Sequence, residues 1–334
     1  MKILHIVAGL EESNGMANTA RQFAEEERAQ GHESAVTNDL SALDATVDEV
    51  CLHGAWLPIL WRAAKRAKGL GAKLVIRPAG SYDPVRLAYH GWKKRLVAFF
   101  EHRMLMRADV VLATCQAEAE WIREYEPRVK KIEVTDVKRF FNLNHETHEI
   151  HEREGEMPLH LLYLGRRHPL KGLEYLEEAV RQISSVPRSP FPVPPLLKVV
   201  SNAFGEEKER VWEWCDVLVL PTLSENFGRV VAEAMERGKR VITTDGAPAW
   251  EGEAKVEVKV KVKVKVKGEV KVKEKVKVKV KGDVDGEDGS RGVVGTGSIW
   301  SGYDGRLIYL KGYRDGTSEC RIELLKRAIE SLVQ

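Results

Sequence analysis

Short apolar runs alternate with longer amphipathic segments along most of this chain. The first run, residues 2–8, is dominated by Ile, Leu and Val, which is typical of a buried strand. Residues 16–30 then place apolar side chains at helical spacing and stop at Gly31, which predicts a helix. The same pattern predicts strands at 33–37, 49–52, 73–76, 110–113 and 131–134, and helices at 56–68, 85–106 and 116–124. Such alternation indicates an α/β fold with helices on both faces of a parallel sheet.

A second alternating block follows a polar segment. Residues 142–158 show no periodicity and predict a linker between an N-terminal Rossmann-like domain, 1–141, and a C-terminal one, 159–250. In this block strands are predicted at 159–164, 196–200, 217–220, 240–244 and 306–310, and helices at 173–183, 206–214 and 227–236. Residues 301–334 are expected to complete the second domain with a terminal helix over 318–332.

A low-complexity insertion, residues 251–300, interrupts the second domain. Valine takes most of the even positions from Val256 to Val280 and lysine most of the odd ones, with a break near Gly268 and Glu269. Alternation with a period of two predicts a two-stranded ribbon with one valine face and one ammonium face. Three interpretations stay open: a tolerated surface insertion, a contact with an anionic membrane, or a sheet edge kept soluble by its charge.

Composition fits a two-domain protein of the cytoplasm. The chain has 334 residues, its N-terminal apolar run is too short for a signal peptide, and no apolar stretch has the length of a bilayer. The net charge of +3 is uneven, because residues 255–281 hold 12 Lys and 3 Glu and leave the remainder at −6. Without a basic patch elsewhere, nucleic-acid binding is not expected.

Cysteine and histidine positions predict neither disulfides nor a metal site. The four cysteines are far apart in the sequence, which suits a reducing compartment: Cys51, Cys115, Cys215 and Cys320. Three histidines recur at three-residue spacing in the linker: His145, His148 and His151. Their surroundings are charged and imply no further ligands, so a solvated linker is the expectation.

The segment with the clearest chemical signal follows the apolar run 217–221. It reads Ser-Glu-Asn-Phe-Gly-Arg-Val-Val-Ala-Glu, so a helix predicted from Phe227 has one carboxylate before it, Glu225, and one inside it, Glu233. Eight residues at 1.5 Å each would separate the two by about 12 Å, the reach of a sugar-diphosphate-ribose unit. Unpaired N–H groups at the helix start favour a diphosphate, and Gly228 permits close backbone approach. On spacing alone, a helix with two surface glutamates is the better explanation of the pattern.

Together with Gly238 and the strand predicted at 240–244, this segment resembles the glutamate-x7-glutamate motif of retaining glycosyltransferases of family 4. The likeness covers most of residues 1–251 and resumes near Arg306. These are nucleotide-sugar enzymes of the GT-B fold, so the resemblance implies two Rossmann-like domains with a cleft between them. It also implies a terminal helix that crosses back to the first domain.

The resemblance assigns the second domain to the donor. It implies that Glu225, with the backbone amides of Asn226, Phe227 and Gly228, holds the transferred sugar. It implies that Glu233 holds the ribose hydroxyls of the donor nucleotide.

A second basic element precedes a helix in the same domain. Residues 165–172 read Gly-Arg-Arg-His-Pro-Leu-Lys-Gly after a predicted strand. Arg166 and Lys171 beside a helix start can grip a diphosphate, as a fork and a point charge, or can belong to a basic surface turn. The element resembles the glycine-arginine…lysine-glycine element of the same family. The resemblance implies that Arg166 and Lys171 neutralise the leaving nucleoside diphosphate.

Elements of the first domain resemble the family less closely. Gly15 and Met16 match a loop that faces the donor phosphates or the acceptor across the cleft. Leu-His-Gly-Ala-Trp around His53 looks like the histidine-glycine-x-tryptophan element of one branch, and a strand's carboxyl end suits a cleft. Ala79 occupies a position where the family often has a polar residue of the catalytic site. His53, Arg77 or Asp83 would then have to take the role of that residue.

The resemblance implies a retaining glycosyltransferase that uses a nucleotide-diphosphate-sugar donor and needs no metal or other cofactor. The leaving phosphate itself would help to deprotonate the acceptor hydroxyl. The expected acceptor is a saccharide or glycolipid of lipopolysaccharide or another cell-surface glycan, at the inner face of the plasma membrane. The basic and aromatic run from Trp92 to Arg95 is expected to contact an anionic acceptor or the membrane, or to form a solvated helix face.

Three other functions stay open. A nucleotide-sugar 2-epimerase shares the GT-B architecture. An inactive nucleotide-sugar-binding protein would agree with Ala79 and with a short second domain. A membrane scaffold would use the Lys/Val insertion instead of the cleft.

Overall fold

The computed structural model describes residues 1–12, 14–89, 91–143, 157–185, 191–201, 203–254, 256–258, 297–302 and 306–332. The chain forms two α/β domains, each with its own sheet, which confirms the predicted fold class of two Rossmann-like domains. Within the described residues, every helix is too short or too polar to span a bilayer.

The first domain is built on a parallel sheet of six strands in the order β2-β1-β3-β4-β5-β6. Its strands are β1 (Lys2–Val7), β2 (Glu33–Thr37), β3 (Glu49–His53), β4 (Lys73–Arg77), β5 (Val110–Ala113) and β6 (Ile132–Val134). Its helices are α1 (Gly15–Ala29), α2 (Pro58–Gly69), α3 (Pro84–Ala88), α4 (Gly91–Arg107) and α5 (Gln116–Tyr125).

The second domain has a seven-stranded sheet in the order β11-β12-β13-β10-β9-β7-β8. Its strands are β7 (His160–Leu164), β8 (Leu196–Val200), β9 (Val217–Val219), β10 (Arg240–Thr244), β11 (Val256–Val258), β12 (Ser298–Gly302) and β13 (Leu307–Lys311). Its helices are α6 (Leu173–Ser185), α7 (Gly205–Trp214), α8 (Arg229–Glu236) and α9 (Ser318–Glu330). The central strands are parallel, whereas β12 pairs antiparallel with β13 and with β11.

Successive residues of the central strands are buried on opposite faces of their sheet. Leu161 of β7 packs in the same hydrophobic cluster as Leu176 of α6, while Leu162 packs with Val231 of α8. A strand covered on both faces needs consecutive apolar residues, which explains the short continuous apolar runs in the sequence. Helices on both faces of each sheet thereby hold the strands, and with them the loops at their carboxyl ends, in place.

The single helix expected over 85–106 is two helices, α3 and α4. Tyr89 has an extended backbone with ψ of 115°, which ends α3 after five residues. Lys94 Nζ then donates to the carbonyl of Tyr89 at 3.2 Å and to that of Arg86, so it satisfies carbonyl groups at the end of the short helix. Helical periodicity in the sequence carried no sign of this break.

The terminal helix packs against its own domain, which corrects the expectation that it crosses to the first. Leu324, Leu325 and Ile329 of α9 are fully buried in the same cluster as Leu176 and Ala179 of α6. The apolar stripe of α9 is therefore covered by α6 and the second sheet.

Most of the predicted Lys/Val ribbon, and of the linker with its histidines, lies outside the described residues. The start of the insertion, β11, forms an edge strand whose Val256 is opposite Ser301 of β12.

Candidate active site between the two domains

A cavity of about 420 Å³ lies between the domains, beside the carboxyl ends of their parallel strands. Gly15 and Met16 follow β1, and Arg77 ends β4. Lys171 and Glu225 contribute from the loops after β7 and β9. This is the edge at which open α/β sheets bind ligands, because strand-to-helix loops converge there.

The loop after β7 places Arg166 and Lys171 at the cavity. Tyr163 Oη donates to the carbonyl oxygen of Arg166 at 2.8 Å and anchors the start of the loop. At its end Gly172 has a left-handed φ of 63°, and a Cβ there would lie 2.1 Å from the carbonyl oxygen of Pro221. A glycine is therefore required where this loop touches the loop after β9.

The loop after β9 carries Glu225. Its backbone N–H donates to the Gly246 carbonyl at 2.6 Å, and its Oε1 accepts from the Asn226 backbone N–H at 3.0 Å. Gly228 has φ of 68° and provides no side-chain cap for α8. The first N–H groups of α8 thus start at the cavity without a side-chain cap, as an anion site requires.

Glu225 and Lys171 form an ion pair through Oε2 and Nζ. Arg86 Nη2 is 3.9 Å from the other carboxylate oxygen, Oε1. Burial acts to raise the pKa of Glu225, but the charges of Lys171 and Arg86 outweigh it and lower this pKa below its ordinary value. The Glu225 carboxylate is therefore ionised at neutral pH.

Among the described residues that line the cavity, Glu225 is the one carboxylate, against six arginines and lysines. The six are Arg77, Arg86, Lys94, Arg166, Lys171 and Arg229. Such an excess of positive charge in a partly enclosed site favours an anionic ligand with several charges, as a diphosphate is.

Arg229 joins the helix start of α8 to the first domain. Its Nη1 donates to Gln22 Oε1 of α1 at 2.6 Å and lies 3.4 Å from Thr19 Oγ1. A Cβ on Gly15 would lie 3.5 Å from Arg229 Cδ, so the two helix starts face each other across the cavity. Arg229 was not among the site residues predicted from the sequence, although it directly follows Gly228 in the motif.

Three further hydrogen bonds cross between the domains beside the cavity. Asn226 Nδ2 donates to Thr114 Oγ1 at 2.9 Å in a buried environment. Ser224 Oγ hydrogen-bonds the buried carboxylate of Asp83, and Arg86 Nε donates to Ser224 Oγ at 3.0 Å. Asn226 and its neighbour Ser224 therefore position the Glu225 loop as much as they line the cavity.

Both halves of the chain match families of known activity. A model of the glycosyl transferase 4-like domain matches residues 38–137, in the first domain. A model of glycosyl transferases group 1 matches residues 195–273, in the second. The chain is built from glycosyltransferase domains.

Solved structures share the architecture of this glycosyltransferase. Anabaena HepE in complex with UDP and glucose is 16% identical with a TM-score of 0.50, over 75% of this chain and 82% of that chain. Sucrose-phosphate synthase from Thermosynechococcus elongatus is 16% identical with a TM-score of 0.53, over 73% and 81%. At such identities the likeness concerns the fold, which is GT-B. A search of curated proteins found no match.

Glu233 of this glycosyltransferase is not among the residues that line the cavity. Glu233 lies one turn inside α8, and its Oε2 is 2.8 Å from Nζ of Lys208 on α7. Since α8 begins at Arg229 and not at Phe227, the separation of about 12 Å expected for a continuous helix does not apply. A ribose contact for Glu233 stays a prediction.

His53 is buried away from the cavity, which corrects the expectation that it faces the cleft. Its side chain is fully buried, and its Nε2 is 2.9 Å from Nδ1 of His5 on the neighbouring strand. His5 Nε2 in turn contacts Glu27 Oε2 at 2.8 Å. Burial lowers the pKa of His53 well below its ordinary value, and the charges of His5 and Arg77 add to this, so His53 is neutral.

Ala79 and Arg77 do reach the cavity from the first domain. Ala79 has a left-handed φ of 55°, a strained conformation for a residue with a Cβ. Arg77 is 2% exposed, and its Nε has no hydrogen-bond partner among the described residues. Of the three residues expected to replace the polar group missing at Ala79, Arg77 is thus the one that lines the cavity and has an unused hydrogen-bond donor.

Proposed function

We propose that this glycosyltransferase moves a sugar from a nucleotide-diphosphate-sugar donor to a saccharide acceptor with retention of configuration. The observation that supports this most directly is the presence of Arg166, Lys171 and Glu225 on one cavity, beside the N-terminus of α8. Two cations and a helix start suit a diphosphate, and a carboxylate suits sugar hydroxyls.

The donor's diphosphate would bind Arg166, Lys171 and the first amides of α8. In the structure Lys171 is paired with Glu225, so an incoming diphosphate competes with that carboxylate for the ammonium. Binding would move Lys171 toward the phosphate and release Glu225 oxygens for the hydroxyls of the transferred sugar. The ion pair thereby holds both groups in place before the donor arrives.

Negative charge grows on the leaving phosphate as the glycosidic bond breaks. Lys171 and Arg166 would stabilise that charge electrostatically in the partly enclosed cavity. The acceptor hydroxyl would attack the anomeric carbon on the face of the sugar that the phosphate has just left, and the leaving phosphate oxygen would take its proton. Retention follows if the acceptor attacks from that face.

The first domain would hold the acceptor. Arg77, Arg86 and Lys94 line the cavity opposite the donor loops, and Gly15 with Met16 forms the wall at α1. A saccharide of lipopolysaccharide or another cell-surface glycan is the acceptor class that we propose. No metal is required in this mechanism, because Arg and Lys provide the positive charge.

Ligand-dependent thermal unfolding tests the donor. UDP-, GDP- and ADP-glucose are compared on the wild type and on Arg166→Ala, beginning with UDP because Anabaena HepE was crystallised with it. We expect one nucleotide class to raise the melting temperature and the substitution to remove the rise. No rise with any donor would contradict the proposal.

Product analysis then separates transfer from the alternatives. An epimerase converts the donor sugar without an acceptor, whereas a transferase releases nucleoside diphosphate in an acceptor-dependent manner. The anomeric proton coupling of the product, measured by NMR, establishes retention or inversion. Donor binding without turnover on a panel of glycan acceptors would favour the inactive binding protein.

A further inference from the structure

The outer face of α4 is apolar, which is unusual for a surface helix. Trp92 and Phe99 are each 63% exposed and Leu96 is 73% exposed. Their spacing of four and three residues places them on one stripe of the helix, and Phe100, 51% exposed, borders it. Surface helices normally place polar side chains outward, and a contiguous exposed apolar patch marks an interaction site.

The charges that border this stripe are all positive. Lys93, Arg95 and Arg103 are exposed, and helical spacing places Lys93 and Arg95 on the two borders of the stripe and Arg103 in line with it. The one carboxylate of the helix, Glu101, is fully buried, where it accepts from the Trp61 indole N–H at 2.6 Å. The outer surface of α4 therefore combines large apolar side chains with cations and presents no carboxylate of its own.

Two of these cations lie over rings of the stripe. Lys93 Nζ is 5.6 Å from the centroid of the Trp92 ring, and Arg103 Cζ is 5.5 Å from that of Phe99. Long cationic side chains over apolar rings can keep their charges at a polar boundary while the rings enter an apolar phase. Aromatic side chains with lysine and arginine are the composition of helices that lie in a membrane interface.

We propose that α4 docks this protein on the surface of an anionic lipid bilayer. A second copy of the chain would bring the same set of cations against itself, at an electrostatic cost. Anionic headgroups instead complement Lys93, Arg95 and Arg103, while Trp92, Leu96 and Phe99 enter the boundary with the acyl chains. An anionic bilayer therefore accounts for both the apolar stripe and the positive charges that border it.

This docking would hold the catalytic cavity close to the membrane, on the inner side of α4. Lys94, between the exposed Lys93 and Arg95, points inward and lines both the donor cavity and a groove of about 750 Å³ beside α4. Leu87, Ala88 and other apolar groups line that groove. An acceptor carried by the bilayer could therefore reach the cavity along α4, a consequence that rests on the proposed transferase function.

Vesicle flotation with the full chain tests the docking without any donor or acceptor. Vesicles of phosphatidylcholine are compared with vesicles that also contain phosphatidylglycerol. We expect binding to the anionic vesicles alone, weakened by salt. The triple variant Lys93→Gln/Arg95→Gln/Arg103→Gln should lower the partition coefficient about a hundredfold, since each charge contributes about fivefold.

A second triple variant, Trp92→Ser/Leu96→Ser/Phe99→Ser, removes the apolar stripe and should weaken binding by at least about tenfold. Phe204→Ser, at a residue 43% exposed on the second domain, is the matched control and should bind like the wild type. Donor-induced thermal stabilisation of each variant shows that it is folded and separates failed docking from a failed donor site.

The Lys/Val insertion is a second source of positive charge, so a chain without residues 259–281 is included. The proposal predicts that this chain still needs α4 for vesicle binding. Binding that both α4 variants leave unchanged would overturn it, as would equal binding to neutral vesicles. Loss of a concentration-dependent dimer in the apolar variant, without vesicle binding by the wild type, would assign the surface to a second copy instead.

Discussion

Lys171 and Glu225, 54 residues apart in the chain, form an ion pair across two loops of the second domain. Each side chain is less than one-fifth exposed, so the pair is screened only partly by water. Gly172 permits the close contact, because it brings the loop after β7 against Pro221 in the loop after β9. The predicted phosphate-binding cation and sugar-binding carboxylate are thus held together before any ligand binds.

Replacing Lys171 by alanine should weaken nucleotide binding. The variant loses a charge-assisted contact to the diphosphate and leaves Glu225 free to repel it, so we expect affinity for UDP or the selected nucleotide to fall about 10- to 100-fold. Isothermal titration calorimetry measures the change. Arg210→Ala, at an arginine 69% exposed on α7, is the control and should leave the affinity unchanged. An unaltered affinity in Lys171→Ala would exclude a phosphate contact.

Glu225→Gln should separate turnover from nucleotide binding. The amide keeps the size of the side chain but removes the charge that Lys171 and Arg86 hold ionised, so we expect kcat to fall about 100-fold. Affinity for the nucleoside diphosphate should stay the same or rise, because a competing anion is gone. Glu206→Gln, at a glutamate 95% exposed, is the control in the same domain. A variant that turns over normally would remove Glu225 from the mechanism.

Gly80→Ala should disturb the contact between the domains. Gly80 has φ of 77°, and an added Cβ would lie 2.9 Å from Asn226 Cβ. We expect a loss of about 1–2 kcal/mol in the free energy of unfolding, from the left-handed conformation of an L-residue. Donor affinity should also fall, because Asn226 precedes the start of α8. Gly69→Ala is the matched control: nothing lies within 4 Å of the new methyl group, and stability should not decrease. Equal stabilities in urea would contradict this expectation.

His53 should make the protein less stable as the pH falls below neutrality. Burial holds the pKa of His53 well below 6.5, so the unfolded chain takes up a proton there that the folded one does not. The free energy of unfolding should therefore decrease below about pH 6.5, by up to about 1.4 kcal/mol per pH unit. Urea unfolding at several pH values measures the slope.

The variant His53→Gln should flatten that slope and change kcat less than about threefold, because its side chain does not reach the cavity. His32→Gln, at a half-buried histidine of the same domain, is the control for replacing an imidazole. A large loss of kcat with unchanged stability would restore a catalytic role for His53.

Periodicity predicted most of the helices and strands of the two domains, because buried parallel strands need continuous apolar runs and their helices need one apolar stripe. It failed where no local pattern marks the outcome. Tyr89 adopts an extended backbone that divides the helix expected over 85–106, and Lys94 completes the break from a distance.

The sequence by itself determined the two α/β domains and placed Arg166, Lys171 and Glu225 in loops at the ends of strands, since strand-to-helix order is a local property of the chain. Only the tertiary structure decided which residues meet across the cavity. Arg229 reaches Gln22, and Asn226 reaches Thr114, through contacts between domains. His53 is fully buried and Glu233 is paired with Lys208, and neither side chain lines the cavity. Those outcomes depend on how elements far apart in the chain pack against one another, within a domain and between the two, which no repeat or spacing along one strand or helix can encode.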